Sequence, residues 1–247
     1  MKTKFLFLIS LNLCLIMSSS TLFSQRMPDH DIIKDDGKEI GLWFVGHASL
    51  YVTYGDMVIH IDPVAQEGDY SKLPKADLIL VSHDHYDHLD LKAISLIKKP
   101  GTKIVCNTTS ASQLPQALVM KNGDKTELMT VKIEAVPAYN ITHMRAPGKP
   151  YHPKGEGNGY VITLGNKRIY FAGDTENIPE MSDLKNIDIA FLPMNLPYTM
   201  DPDMVADCVK KIHPRILYPY HYGSTDTSLL LPLVDTTKTE VRIRKMN

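Results

Sequence analysis

Between Ser82 and Asp90 the chain reads Ser82-His83-Asp84-His85-Tyr86-Asp87-His88-Leu89-Asp90, which crowds three imidazoles and three carboxylates into nine residues. Imidazole nitrogen and carboxylate oxygen are the donors that hold zinc and similar divalent cations in hydrolytic enzymes. His83 and His85 stand two apart, so an extended backbone points them the same way. Asp87 and His88 are adjacent, cannot share that direction, and suit a second centre. The pattern predicts two metal sites side by side. The plain alternative is a His-rich surface turn, and it is the weaker reading because clustered imidazoles without a metal repel one another when charged.

The flanking segments explain how such a run is held. Ala76–Val81 is a short apolar run of strand type, and residues from Asp90 to about Lys98 have apolar positions at helical spacing, with Asp90 able to cap them. The donors therefore leave the end of a buried strand on a loop, where catalytic groups tend to lie. Strand-type runs precede them at Leu42–Val45, Leu50–Tyr54 and Met57–Ile61, the last two joined by the hairpin signal Gly55-Asp56. Beyond them we expect a strand at Lys103–Cys106, a helix around Ser110–Val119, and strands at Glu127–Met129 and Val131–Val136. A second half begins with Tyr160–Leu164 and Arg168–Phe171 around Gly165-Asn166. It continues with a strand at Ile187–Leu192, a helix at Asp201–Ile212 and a strand at Ile216–Tyr218. Asp201-Pro202-Asp203 supplies a cap, a first-turn proline and an acid where the helix dipole favours it. The mixture fits two sheets packed face to face with helices outside. Residues 138–158 are rich in Pro, Gly and His; a loop that long in one domain is usually functional.

The order His83-x-His85-x-Asp87-His88 after a strand resembles the signature of the metallo-β-lactamase superfamily. Other landmarks agree along the chain: Gly46-His47-Ala48-Ser49, Ile61-Asp62-Pro63, Phe171-Ala172-Gly173-Asp174-Thr175 and Pro219-Tyr220-His221-Tyr222-Gly223. The branch it most resembles holds the ascorbate-6-phosphate lactonase and the N-acyl phosphatidylethanolamine phospholipase D. The resemblance implies an α/β fold of four layers, αββα, with two mixed sheets at its centre. It also implies a ligand set: His83, His85 and a histidine of the 138–158 loop on a first ion, Asp87, His88 and His221 on a second, and Asp174 bridging them. Related chains often carry histidine directly after a Pro-Ala-aromatic triplet; here Pro137-Ala138-Tyr139 is followed by Asn140. His143 or His152 could substitute. Tyr151-His152-Pro153-Lys154-Gly155 looks like a variant motif of the branch and favours His152, leaving Asn140 as a weak ligand or a supporting donor. His47 lines the pocket or packs in the core; Asp62 orients a ligand histidine. Tyr198 is positioned either to donate to substrate or to pack in its loop. His30, His60 and His213 carry no pattern and read as structural or surface.

The ends bound where the protein works. Lys2 and Lys4, the apolar stretch from Phe5 to Met17 and the small polar residues Ser18–Thr21 have the layout of a secretory leader, with cleavage after Ser24 or Gln25. Cys14 raises a lipoprotein alternative, opposed by bulky Leu13. Residues 1–25 are expected to be a signal peptide and 26–247 a single domain. The mature chain would be periplasmic or secreted, with no stable membrane insertion. Its net charge moves from −1 to −3 as Lys2 and Lys4 leave. No basic stripe is present, so nucleic acid is not an expected partner. Cys106 and Cys208 sit in apolar contexts and read as buried free thiols. Oligomeric state is open.

Together these features imply an exported hydrolase in which two divalent metal ions, zinc first with manganese or iron as alternatives, activate a water to cleave a small ester-type substrate, a phosphodiester or a lactone. Asp87, His47 and Tyr198 are the candidate catalytic residues, Asp87 both binding metal and orienting the nucleophile. A β-lactamase and a metal-binding protein without catalysis are the alternatives. A diiron oxidoreductase would show glutamate at the second histidine, which His85 opposes, and would need a flavin domain for which no residues remain.

Overall fold

A computed structural model describes residues 27–246; the expected leader and Cys14 lie outside them. The first half forms a seven-stranded sheet in sequential order: β1 (Asp29–Asp35), β2 (Lys38–Gly46), β3 (Ser49–Tyr54), β4 (Met57–Ile61), β5 (Leu78–Val81), β6 (Lys103–Cys106) and β7 (Leu118–Val119). Strands β1 to β4 run antiparallel, and β4 to β7 run parallel. Helix α1 (Leu91–Ile97) provides one of the crossovers. The second sheet repeats the scheme. Strands β8 (Lys125–Leu128) and β9 (Val131–Ala138) precede a small hairpin of β10 (Met144–Ala146) and β11 (Lys149–Pro150). Then come β12 (Gly157–Leu164), β13 (Lys167–Phe171), β14 (Ile189–Pro193), helix α2 (Pro202–Ile212), β15 (Ile216–Tyr220) and β16 (Glu240–Val241). The spatial order is β16-β15-β14-β13-β12-β9-β8, with the β13–β16 side parallel and the rest antiparallel.

Period-two patterning decides which face each side chain enters. Leu78 and Leu80 of β5 join the large core between the sheets, while Ile79 and Val81 join a second core under Ala93, Ile94 and Ile97 of α1. The same split puts Leu50 and Val52 of β3 inside and Tyr51 outside. Helix α2 buries Val205, Ala206, Cys208, Val209 and Ile212 in the core that contains the second sheet. Its cap is the expected one: Asp201 accepts from Met204 N at 2.7 Å. Cys106 and Cys208 are buried free thiols.

Three expectations are corrected. Residues 110–119 are not a helix but a short 3-10 turn, Thr109–Ser112, followed by the edge strand β7. Pro115 lacks the N–H a helix needs there and pushes Leu114 away from helical backbone. The polar entry at residues 27–39 contains β1, whose mostly exposed edge position leaves little apolar alternation to read. The 138–158 loop is not structureless, since it contains the β10–β11 hairpin.

The parallel strands matter most for function, because their carboxyl ends open on one rim. Asp62 follows β4, Ser82–Asp90 follow β5, Asp174 follows β13, Asn195–Tyr198 follow β14 and His221 follows β15.

His60 of β4 has become structural. Its ring lies between Tyr51 and Tyr70, with centroids 5.1 and 6.0 Å away, and Nε2–H donates to Pro74 O at 3.0 Å. Burial pulls its pKa down to about 4 against that hydrogen bond. Below the unfolded value of 6.5 the unfolded chain takes up a proton that the folded chain refuses. Stability is therefore full above pH 6.5 and falls as the pH drops toward 4, by up to about 3 kcal/mol at 1.36 kcal/mol per unit. In His60→Gln this slope should be missing. Chemical denaturation of both proteins between pH 7.5 and 4.5 checks it, and parallel curves would refute the assignment.

Candidate metal centre

Asp174 stands at the middle of the rim, 4 % exposed. Gly173 before it adopts φ +65°, and a Cβ there would sit 2.8 Å from Asn158 O, so only glycine brings the aspartate to this place. The two carboxylate oxygens face different partners. Oδ2 lies 3.2 Å from His152 Nε2 and 3.9 Å from His83 Nε2. Oδ1 lies 3.2 Å from His88 Nε2 and 3.3 Å from His221 Nε2. His83, His85, His152 and Asp174 offer ligand atoms within 4.8 Å of one another, and so do His88, His221 and Asp174. His47, Asp87 and His221 form a third such group, with Asp87 Oδ2 3.4 Å from His47 Nε2 and 3.6 Å from His221 Nε2.

The imidazoles are oriented from behind. His88 Nδ1–H donates to Asp62 Oδ2 at 2.8 Å. Ser82 donates its hydroxyl to the same Oδ2 at 2.7 Å and accepts from His83 Nδ1–H at 3.0 Å. His152 Nδ1–H donates to Asn140 Oδ1 at 2.7 Å, and His152 N donates there as well at 2.8 Å. Asn140 has no freedom to flip, because its Nδ2 donates to Glu176 Oε1 at 3.0 Å and to Tyr198 O at 2.9 Å. The Nδ1 atoms of His83, His88 and His152 are thus committed, and each of these rings turns Nε2 toward Asp174. His83 Nε2, His88 Nε2, His221 Nε2 and Asp174 Oδ1 are buried and make no hydrogen bond. Orphaned buried polar atoms cost about 1–3 kcal/mol each, and a divalent cation among them is the partner that N/O donors of this kind accept. The residues fit a metal.

The charges agree. Burial opposes ionisation of Asp174, but His221, His88 and His152 outweigh it and hold its carboxyl well below the usual range. Burial also opposes ionisation of Asp87, and its hydrogen bonds with His221 and His47 overcome this in the same direction. Burial, reinforced by His88, drives the His83 imidazole well below its ordinary value, so it stays a neutral donor. Burial and His152 lower His85 likewise. Burial disfavours charge on His88, yet Asp174 and Asp62 raise it well above 6.5. Two carboxylates that draw a proton to Nε2 also draw a metal cation there.

The structure gathers His83, His85, Asp87, His88, His152, Asp174 and His221 at one centre, and His47 joins them on the Asp87 side. His143 stands apart: its Nδ1 meets Glu176 Oε1 at 3.0 Å and Thr199 O at 2.9 Å. Tyr198 is at the mouth, 45 % exposed, its ring edge-on to Tyr151 at 5.0 Å. A cavity of about 720 Å³ opens over the centre, lined by His47, Asp87, His221, Tyr198 and Arg145 among others. A second of about 540 Å³ shares its Asp84, His85, Arg145, Tyr151, His152 and Asp174 wall. Sequence reasoning passed over Ser82, Glu176 and Arg145. Glu176 accepts from Ile141 N, Thr142 N and His143 N at 2.6–3.0 Å as well as from Asn140. Its only signal was a position two residues past Asp174.

A two-sheet sandwich with His and Asp donors gathered on its strand-end loops is the framework of a metal-dependent enzyme. Residues 41–221, which span every donor from His47 to His221, match the β-lactamase superfamily domain. Over 234 residues the chain is 32 % identical to a UPF0173 metal-dependent hydrolase of Anaeromyxobacter dehalogenans, covering 83 % of this chain and 80 % of that one. A crystal structure from Parabacteroides distasonis, assigned as a metal-dependent hydrolase, is 47 % identical with a TM-score of 0.85, covering 89 % of this chain and 99 % of that one. A metallo hydrolase of Ignicoccus hospitalis shares the fold at 23 % identity and a TM-score of 0.69, covering 83 % and 95 %. The chain belongs to the β-lactamase superfamily and is a metal-dependent hydrolase.

Because Asn140 fixes the His152 ring, Asn140→Ala should weaken metal binding roughly 10- to 100-fold while leaving the fold intact. Competition with a chromogenic chelator measures the affinity, and circular dichroism checks the fold. Unchanged affinity would show that His152 needs no such support.

Proposed function

We propose that the protein is an exported dinuclear hydrolase of an ester-type bond, a phosphodiester or a lactone, in the branch that the sequence resembles. One observation carries the dinuclear reading: the two oxygens of Asp174 face two separate sets of imidazoles. In this reading His83, His85 and His152 would hold one cation and Asp87, His88 and His221 the other, with Asp174 available to both. Zinc is the first candidate, with manganese or iron as alternatives. Bound there, the cations would supply Lewis acidity and lower the pKa of a water to about 7.

The chain's own groups do the rest. Asp87, ionised and one-quarter exposed toward the cavity, accepts a hydrogen bond from the attacking water and aims its lone pair at the carbonyl carbon or phosphorus. His47 is 17 % exposed beside Asp87 and faces the substrate. Tyr198 donates its hydroxyl to the substrate or leaving group from the mouth. Asp62, Ser82 and Asn140 keep the imidazoles aimed and need no rearrangement during turnover. Export rests on the leader-like residues 1–25. Among the described residues no helix is long and apolar enough to cross a membrane.

Elemental analysis of the purified mature chain should find two ions per chain, fewer in Asp174→Ala and His88→Ala, and little activity in either variant. Chromogenic phosphodiesters, lactones and a cephalosporin tested in parallel then define the bond. A single ion in the wild type would refute the dinuclear reading, and turnover of the cephalosporin alone would refute the ester reading.

A further inference from the structure

Arg145 is the side chain that the centre does not absorb. It lies on the β10–β11 hairpin, where Met144 pairs with Pro150 and Ala146 with Lys149, so the register slips at Arg145. An extra residue in one strand is a β-bulge, a device that re-aims a side chain and recurs beside active sites. Here Arg145 joins the wall shared by both cavities, which also contains His85, His152 and Asp174. One of its N–H groups donates to Tyr151 O, and the group lies 5.8 Å from the Tyr151 ring centroid. That leaves most of its five N–H donors uncommitted. Among the described residues it forms no ion pair with a carboxylate. It is the only Lys or Arg lining the larger cavity, and Lys149 joins it in the smaller one.

A cation held by a backbone carbonyl and an aromatic face, unpaired, and lining the cavities over a hydrolytic centre is arranged to take an anion. We propose that Arg145 is the specificity-determining residue of an oxyanion subsite, and that the substrate carries a carboxylate or phosphate separate from the bond that is cleaved. The proposal rests on the hydrolase reading above and names its substrate class. Arginine suits this role because its planar fork meets two oxygens at once.

The test uses the metal-loaded full-length mature enzyme and two matched pairs. One pair is 4-nitrophenyl hydrogen glutarate and its neutral methyl ester. The other is the corresponding 4-nitroanilide acid and its methyl ester, which bind without a cleavable ester to the nitrophenol. Arg145→Ala should lose roughly 10- to 100-fold in kcat/KM for the acid, chiefly through KM, and stay within about two-fold for the methyl ester. Arg145→Lys should recover part of the loss. Dissociation constants for the anilide pair, from equilibrium dialysis, should show the same selective weakening. If the wild type cleaves neither ester, the hydrolase reading fails for this class and the anilide comparison still decides the subsite. Equal binding of acid and methyl ester by the wild type, or equal losses in the variant, would overturn it.

Discussion

The arrangement depends on one buried carboxylate shared between two groups of imidazoles. Asp174 is ionised in a place where burial alone would forbid it, and it is tolerated because positive or proton-donating groups approach both of its oxygens. Removing such a partner is costly because the remaining charge stays desolvated. The carboxylate therefore demands cations, and His83, His88 and His152, with their Nδ1 atoms already committed, turn Nε2 toward the place where they would sit. Metal binding is what this electrostatic arrangement requires, rather than an addition to a finished fold.

Meeting that demand shapes the backbone. The donors arrive on loops that leave several parallel strands, and a strand end alone does not aim a side chain. At the rim, three residues take left-handed backbone: His47 at φ 48°, Asp62 at φ 43° and His221 at φ 47°. Side-chain residues adopt this region at a cost of roughly 1–2 kcal/mol each. They are pinned by contacts made at the same place: His221 N donates to His47 O at 3.0 Å, and Asp62 N to Leu80 O at 2.9 Å. The sheets supply the rigidity, and the strained turns convert it into convergence.

This division also explains what the sequence disclosed. Strands β3, β5 and β6 were legible because burial on both faces leaves short apolar runs, and the donors were legible because they are concentrated between His83 and His88. The edge strand β1 was not, since an edge exposed to water needs no apolar stripe. The proline-broken segment at 110–119 was misread because its apolar spacing resembles a helix until Pro115 is weighed. Asn140, at the position where a ligand was sought, turned out to be the acceptor that holds His152. Its role depends on Glu176, which lies 36 residues away in sequence and is visible only in three dimensions. Arg145 left no sequence signal because a bulge is a property of pairing, not of residue type.

The 138–158 loop shows how one segment can serve the metal and the substrate without coupling them. Its first foot, residues 140–143, is clamped by Glu176, and its second foot is tied back through Asn140 N to His152 O at 2.9 Å and Tyr151 N to His143 O at 3.4 Å. The hairpin from Met144 to Pro150 projects beyond these ties. Changes in its length or composition would be absorbed above the clamp, because loop closure depends only weakly on length once the ends are fixed. His152 would keep its aim while the residues facing the substrate varied. A ligand placed at 152 instead of 140 thus lies on the far side of the variable hairpin, and the Asn140–His152 pair is the closure that makes this safe.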